Sequence, residues 1–312
     1  MFNQMRPALK IATVAMVTLL SLLVTTIVAA VVAIPFFGVD NFMQMVSSSV
    51  SISEENVSFL KFIQVVQSVG VFIIPALFLA ILFGGNISGY LKLDKKPYPL
   101  SIVLAIFIVF ISSPFINFIG DINSKLSLPS AFSAIEQWMR QSEDAADQLT
   151  QLFLKTGTVW GLLFNVLMIG IIPAIGEELL FRGVIQRVLT DWTKNVHWGI
   201  WISAILFSAL HLQFYGFIPR AVLGGIFGYL LVWSGNLWLP VLAHFVNNTF
   251  AVLAYYFHDE GVLKVDPDKI GTTSNYLVSA LVSVLLAAWL FWTFYHYEKK
   301  KESEVEARLD RN

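Results

Sequence analysis

Three short runs in the second half of the chain place polar groups among apolar neighbours. They are Ile175-Gly176-Glu177-Glu178-Leu179-Leu180-Phe181-Arg182, Phe207-Ser208-Ala209-Leu210-His211 and Leu242-Ala243-His244-Phe245-Val246-Asn247-Asn248. A carboxylate beside imidazoles can take a proton from water, and an amide can donate to an oxygen on which charge develops. The same donor types also allow a divalent ion such as Zn2+ on Glu177, His211 and His244, carrying a water. A glutamate acting without metal is the other scheme, and the residue types leave both open. No His-Glu-x-x-His helix is present, so the usual zincin geometry is absent. The chain has no cysteine, which excludes disulfides, thiolate metal sites and a cysteine nucleophile.

Spacing sorts these residues into roles. Glu178 and Arg182 stand at i and i+4 on a helix, acid before base, and pair favourably. Glu177 is then turned about 100° away, toward the space between helices. His244 and Asn248 are also i and i+4 and share one helix face. Suppose the helices carrying Glu177 and His211 form a hairpin turning at Lys194. Glu177 lies 17 residues before that turn and His211 lies 17 after it. Both then sit about 18–20 Å along their helices at 1.5 Å per residue. A third helix starting after Asn236 brings His244 and Asn248 about 10–17 Å along it, to a similar level.

The elements that must position these groups are membrane helices. Of 312 residues, 56% are hydrophobic and 13% charged, and the mean hydropathy is +0.71. A water-soluble fold of this length cannot hide that much apolar surface in one core. Apolar stretches near 11–34, 60–84, 99–120, 158–189, 197–216, 217–234, 237–257 and 276–297 predict an all-α polytopic membrane protein of about eight spans. The first follows Arg6 and Lys10 and is too long for a signal-peptide core, so it reads as a retained anchor. Twenty basic and 21 acidic residues nearly cancel, which leaves no field for a nucleic-acid partner.

Basic residues concentrate in 1–10, 85–98, the turn near 190–196 and the tail, with Arg182 and Arg187 close by. The positive-inside rule therefore predicts both termini in the cytoplasm. Trp192, Trp198, Trp201, Trp233 and Trp238 fit an aromatic belt on the same side. Residues 121–155 combine Asp121, Glu136, Glu143, Asp144 and Asp147 with Ile135, Trp138 and Met139, as in an amphipathic helix on the outer surface. Gly224, Gly225 and Gly228 predict close helix packing. The organisation expected is 1–157 for helices one to three and the outer segment, 158–258 for a catalytic core, 259–297 for helix eight, and 298–312 for a charged tail.

Glu177-Glu178-x-x-x-Arg182, Phe207-x-x-x-His211 and His244-x-x-x-Asn248, in that order, resemble the three signatures of the CPBP family. That family comprises the CAAX prenyl endopeptidases and the bacteriocin-processing or Abi-type intramembrane proteases. The resemblance is confined to residues between 160 and 250. It implies an eight-helix protease core with a cavity inside the membrane, open toward the cytoplasm. It also implies that Glu177 activates water with help from His211. His244 and Asn248 become an oxyanion-stabilising pair, and Glu178, Arg182 and Phe207 become supporting residues. The function so implied is an intramembrane endopeptidase of the bacterial inner membrane. Its partners are the lipid bilayer and a membrane-associated or prenylated, CAAX-type peptide. Two rivals use the same cluster differently: a non-catalytic scaffold or immunity protein, and a proton-coupled transporter. The chain shows no inverted repeat of the kind transporters carry.

Overall fold

A computed structural model describes residues 5–46, 54–265, 267 and 276–310. Among the described residues the regular elements are helices, with no strand. Those that matter are α1 (Pro7–Asp40), α2 (Glu54–Gly84), α3 (Pro99–Ser124), α4 (Ser133–Leu154), α5 (Val159–Thr193), α6 (Val196–Ala209), α7 (Phe217–Ser234), α8 (Trp238–Asp259) and α9 (Tyr276–Leu309). Six of them (α1, α2, α3, α5, α7 and α9) are long and apolar enough to cross a membrane. Of the eight spans expected, α6 is apolar but only 14 residues long, and α8 carries the polar run from His244 to Asn248. The chain is an all-α polytopic membrane protein.

Its apolar residues are distributed as lipid requires. Met16, Leu19, Leu23, Ile27 and Val31 of α1 are exposed, as are Leu281, Leu285, Trp289 and Trp292 of α9. In water such stripes would be untenable, whereas hydrocarbon solvates them. Interior packing divides in two. One cluster joins Leu79, Ala80 and Phe83 of α2 to Leu179, Leu180 and Val184 of α5. The other joins Ile108 of α3, Phe227 and Leu230 of α7, Ala243 of α8 and Phe294 of α9. Helix α5 packs in the first, while α8 joins both, through Val241 in the first and Ala243 in the second.

The hairpin expected at Lys194 is present. Lys194 adopts a left-handed conformation (φ 54°) and ends α5. Asn195 Oδ1 then accepts from the backbone N–H groups of His197 and Trp198 at 2.8 and 3.2 Å, capping α6. A Cβ on Gly199 would fall on Thr190, so this glycine lets the two helices close up.

Loops at the two ends are laced separately. At one end, Asn236 Nδ2 donates to the Lys95 carbonyl (2.8 Å), Trp238 Nε1 to the Leu93 carbonyl (3.2 Å) and Arg187 Nη1 to the Tyr90 carbonyl (2.6 Å). At the other, Asn123 Nδ2 donates to the Phe214 carbonyl (2.9 Å), and Glu143 of α4 accepts from the Tyr215 backbone N–H (3.0 Å). The amphipathic helix expected within 121–155 is α4, while 121–124 completes α3. Ile135 and Trp138 of α4 are exposed, Trp138 packs on Phe214 (centroids 5.2 Å) and Arg140 lies over the Tyr215 ring (4.6 Å). The charged tail continues α9 to Leu309; Arg311 and Asn312 lie outside the described residues.

Candidate active site

Helix α5 is not a regular α-helix where it carries the carboxylates. Val166–Ile171 and Glu178–Ile185 are wider, π-type turns, and Pro173 lies between them. Such widenings turn side chains out of the regular helical register and recur at functional sites. Here the second one begins directly after Glu177. Glu178 and Arg182 still meet across it, with Arg182 Nη1 donating to Glu178 Oε1 at 2.9 Å. Both are fully enclosed, at 0% and 1% exposure.

A buried ion pair gains from each further partner its groups find; Glu178 Oε2 is left without one among the described residues. Arg182 Nη2 donates to the Gly224 carbonyl (3.2 Å), and the guanidinium stacks over Phe207 (4.6 Å) and Phe227 (5.6 Å). Gly224 makes this contact feasible: a Cβ there would stand 3.0 Å from both Arg182 Nη2 and Ala204 Cβ. One turn on, Gln186 Nε2 repeats the pattern with the Gly228 carbonyl (3.3 Å). The glycines read as packing devices are thus also acceptors for two buried polar side chains of α5.

Glu178 Oε1 has a second donor. His244 Nδ1, arriving from α8, donates to it at 2.9 Å, and Phe227 stacks on the imidazole at 5.2 Å and 21°. A carboxylate only accepts, so the proton sits on Nδ1 and Nε2 faces the cavity. Nε2 stands 3.8 Å from Glu177 Oε2, too far for a direct hydrogen bond. Glu178 therefore orients His244, while Glu177 (9% exposed) is the carboxylate presented to open space.

His211 follows the end of α6, just before Leu212 takes a left-handed conformation (φ 54°). Its Nδ1 donates to the Phe207 carbonyl at 2.8 Å, and its ring meets the Phe207 ring edge-on at 4.9 Å. That bond leaves Nε2 as the free acceptor. Phe207 contacts Arg182, His211 and His244 at once, which accounts for an aromatic residue there. Asn248 Nδ2 donates to the Ile169 carbonyl at 3.0 Å, and its Oδ1 accepts from Asn247.

The four residues singled out by spacing line one cavity of about 530 Å³: Glu177, His211, His244 and Asn248. The equal-depth argument from Lys194 is consistent with this placement. Metal ligation is a different matter. Among the described residues, no three His, Asp or Glu side chains are grouped so as to hold a metal ion. The Nδ1 hydrogen bonds of both imidazoles leave each Nε2 open, but Glu177, His211 and His244 are not drawn together as a three-ligand set.

Residues 152–250 match the family described as type II CAAX prenyl endopeptidase Rce1-like. The match covers about a third of the chain. It contains every residue named above for the cavity's polar wall, and it agrees with the resemblance carried by the three motifs. Two relatives come from Bacillus subtilis (strain 168). "Uncharacterized protein YpbD" is 31% identical over 109 residues, 34% of this chain and 52% of that protein. "Putative membrane peptidase YdiL" is 28% identical over 88 residues, 28% of this chain and 36% of that protein. "Uncharacterized 24.3 kDa protein" of Escherichia coli is 32% identical over 111 residues, 34% of this chain and 50% of that protein. The chain thus spans about half the length of two of these relatives and less of the third. No solved structure matches it significantly.

Sequence reasoning missed several neighbours of the cavity. Arg220, at the start of α7, lines it, and its Nη2 donates to Gln213 Oε1 at 2.7 Å. An arginine in an apolar helix was the available signal. Thr150 and Phe153 of α4 roof the same space, which no motif indicated. The lining from α4 and from Gln213 and Gly216 puts the mouth at the end away from the Lys92–Lys96 loop.

Proposed function

We propose that the chain is an intramembrane endopeptidase that hydrolyses a peptide bond in a membrane-associated substrate, working in a bacterial inner membrane. A prenylated, CAAX-type C-terminus is one substrate class the Rce1-like segment brings forward. The observation that carries the reading is convergence: three helices bring a carboxylate, two oriented imidazoles and an amide to one small cavity. The catalytic unit is residues 158–258, with the remaining helices and the tail as its scaffold.

The chemistry follows from the proton positions. A water between Glu177 and His211 Nε2 donates to both acceptors, which turns an oxygen lone pair toward the scissile carbonyl. Glu177 takes the proton as the oxygen attacks and passes it to the leaving amine as the C–N bond breaks. Asn248 has one N–H on Ile169 and a second to offer the carbonyl oxygen as it becomes an oxyanion. His244 Nε2 borders the same space, 3.8 Å from Glu177 Oε2. The deciding experiment follows cleavage of a candidate membrane peptide by purified Glu177→Ala and Glu177→Gln proteins. Cleavage is expected to disappear in both, and normal turnover in either ends the reading.

A further inference from the structure

The cavity mouth and the basic loops lie at opposite ends of the molecule. The mouth is bordered by Thr150 and Phe153 of α4, Gln213 and Gly216 of the α6–α7 loop, and Arg220 at the start of α7. That loop is tied to the end of α3 through Asn123 and to α4 through Glu143. The other end holds the loop of Lys92, Lys95 and Lys96, bonded to Asn236, Trp238 and Arg187. Between the ends the passage is closed. Below Glu177, toward the basic loops, Phe181, Arg182 and Phe227 are 1%, 1% and 2% exposed.

Charge distinguishes the two ends. Among the described residues, 12 of 18 Lys and Arg fall in the N-terminal segment, the 85–98 loop, the end of α5 and the tail, all at the closed end. The mouth end has the other six together with 10 of the 19 described Asp and Glu residues, among them Glu136, Glu143, Asp144 and Asp147 on α4. Lys and Arg within a few turns of the membrane are retained on the cytoplasmic side. We infer that the closed end faces the cytoplasm, that the cavity opens to the extracytoplasmic side, and that the substrate is a peptide segment presented there by a membrane or exported protein.

This narrows the substrate class of the proposed protease and rests on that reading for the word substrate. The mouth suits such a segment. Gln64, Gln213, Asn247 and Arg220 supply side-chain hydrogen-bonding groups around it, which an extended backbone uses without needing a charge of its own. A cytoplasmic prenylated C-terminus would meet the closed end instead.

The absence of cysteine makes the test direct. Thr150→Cys is at the mouth and Asp94→Cys in the basic loop, both at exposed positions. Each is treated with a membrane-impermeant maleimide in intact cells and after permeabilisation. Thr150→Cys is expected to label equally in both conditions, and Asp94→Cys only after permeabilisation. Labelling of Thr150→Cys only after permeabilisation, or of Asp94→Cys in intact cells, overturns the assignment. An alkaline phosphatase fused after Asn312 guards against misfolded variants: it is expected to be inactive, and activity there overturns the inference. None of these readouts needs proteolysis, so they stand or fall separately from the Glu177 experiment.

Discussion

The side-chain amide of Asn248 donates to the backbone carbonyl of Ile169 at 3.0 Å, four residues before Pro173. In a regular helix that carbonyl would accept from residue 173, but proline has no N–H to give. A side chain from α8 therefore replaces the missing donor of α5 and pins the kink just ahead of Glu177. Asn248→Ala should cost roughly 1–3 kcal/mol of stability, the penalty for a buried acceptor left without its donor. It should also lower turnover by about 10²–10³, the usual loss on removing an oxyanion donor. Thermal unfolding in detergent and kcat on a fixed substrate separate the two effects; a stability loss with full kcat confines Asn248 to bracing.

The adjacent glutamates should behave as opposites. Glu178→Gln leaves Arg182 buried without its countercharge, a change that typically costs about 3–5 kcal/mol. Glu177→Gln faces the cavity and should leave the unfolding temperature close to wild type while abolishing cleavage. Equal unfolding temperatures for the two variants would contradict the division of labour.

Gly224→Ala should destabilise by about 1–3 kcal/mol, because the added methyl crowds packed neighbours. Arg182 Nη2 and Ala204 Cβ each stand 3.0 Å from its position, and neither is free to swing away. Gly235→Ala in the turn before α8 meets no neighbour but forces a residue with a Cβ into φ 61°, so its cost is backbone strain alone. Comparing unfolding and activity of the pair checks whether loss of function tracks Arg182.

Glu143 lies outside the spans and gives a pH signature. Burial raises its pKa above the ordinary carboxylate value, an effect partly offset by the Tyr215 N–H and by Arg220. A raised carboxyl favours the folded state most when protonated, and that advantage is lost as pH rises through its folded pKa. Glu143→Gln keeps an oxygen acceptor for Tyr215 without the buried charge. Its unfolding temperature at pH 7 should equal or exceed wild type, with the difference vanishing on acidification below the ordinary carboxylate range. Glu143→Ala, which removes the acceptor, should unfold earlier at both pH values.

Much of the site was legible because regular helices make depth a matter of counting. The count from Lys194 to Glu177 and His211 survives because a left-handed residue and an asparagine cap place the turn where that count begins. The i, i+4 pairing of Glu178 with Arg182 survives even through a wider turn, since two long side chains absorb the difference. What could not be read comes from departures from regularity or from tertiary placement. Nothing in the spacing shows that Pro173 commits Asn248 to Ile169, or that α4 folds back over the mouth. The side on which the cavity opens was likewise carried by resemblance alone. Ligation by Glu177, His211 and His244 was plausible by residue type, yet the three are not grouped as a ligand set among the described residues.

His211 hangs from a non-helical loop whose far side is held by α4, through Trp138 on Phe214, Arg140 over Tyr215 and Glu143 on the Tyr215 N–H. With Ile135 and Trp138 exposed, α4 offers apolar side chains of the kind that seat a helix at a lipid–water boundary. A thinner or more loosely packed bilayer would shift a helix seated there and, with it, the imidazole at the other end of the tether. Turnover measured in phospholipids of graded acyl length should therefore peak at one hydrophobic thickness, giving this membrane protein a gauge of the membrane it sits in.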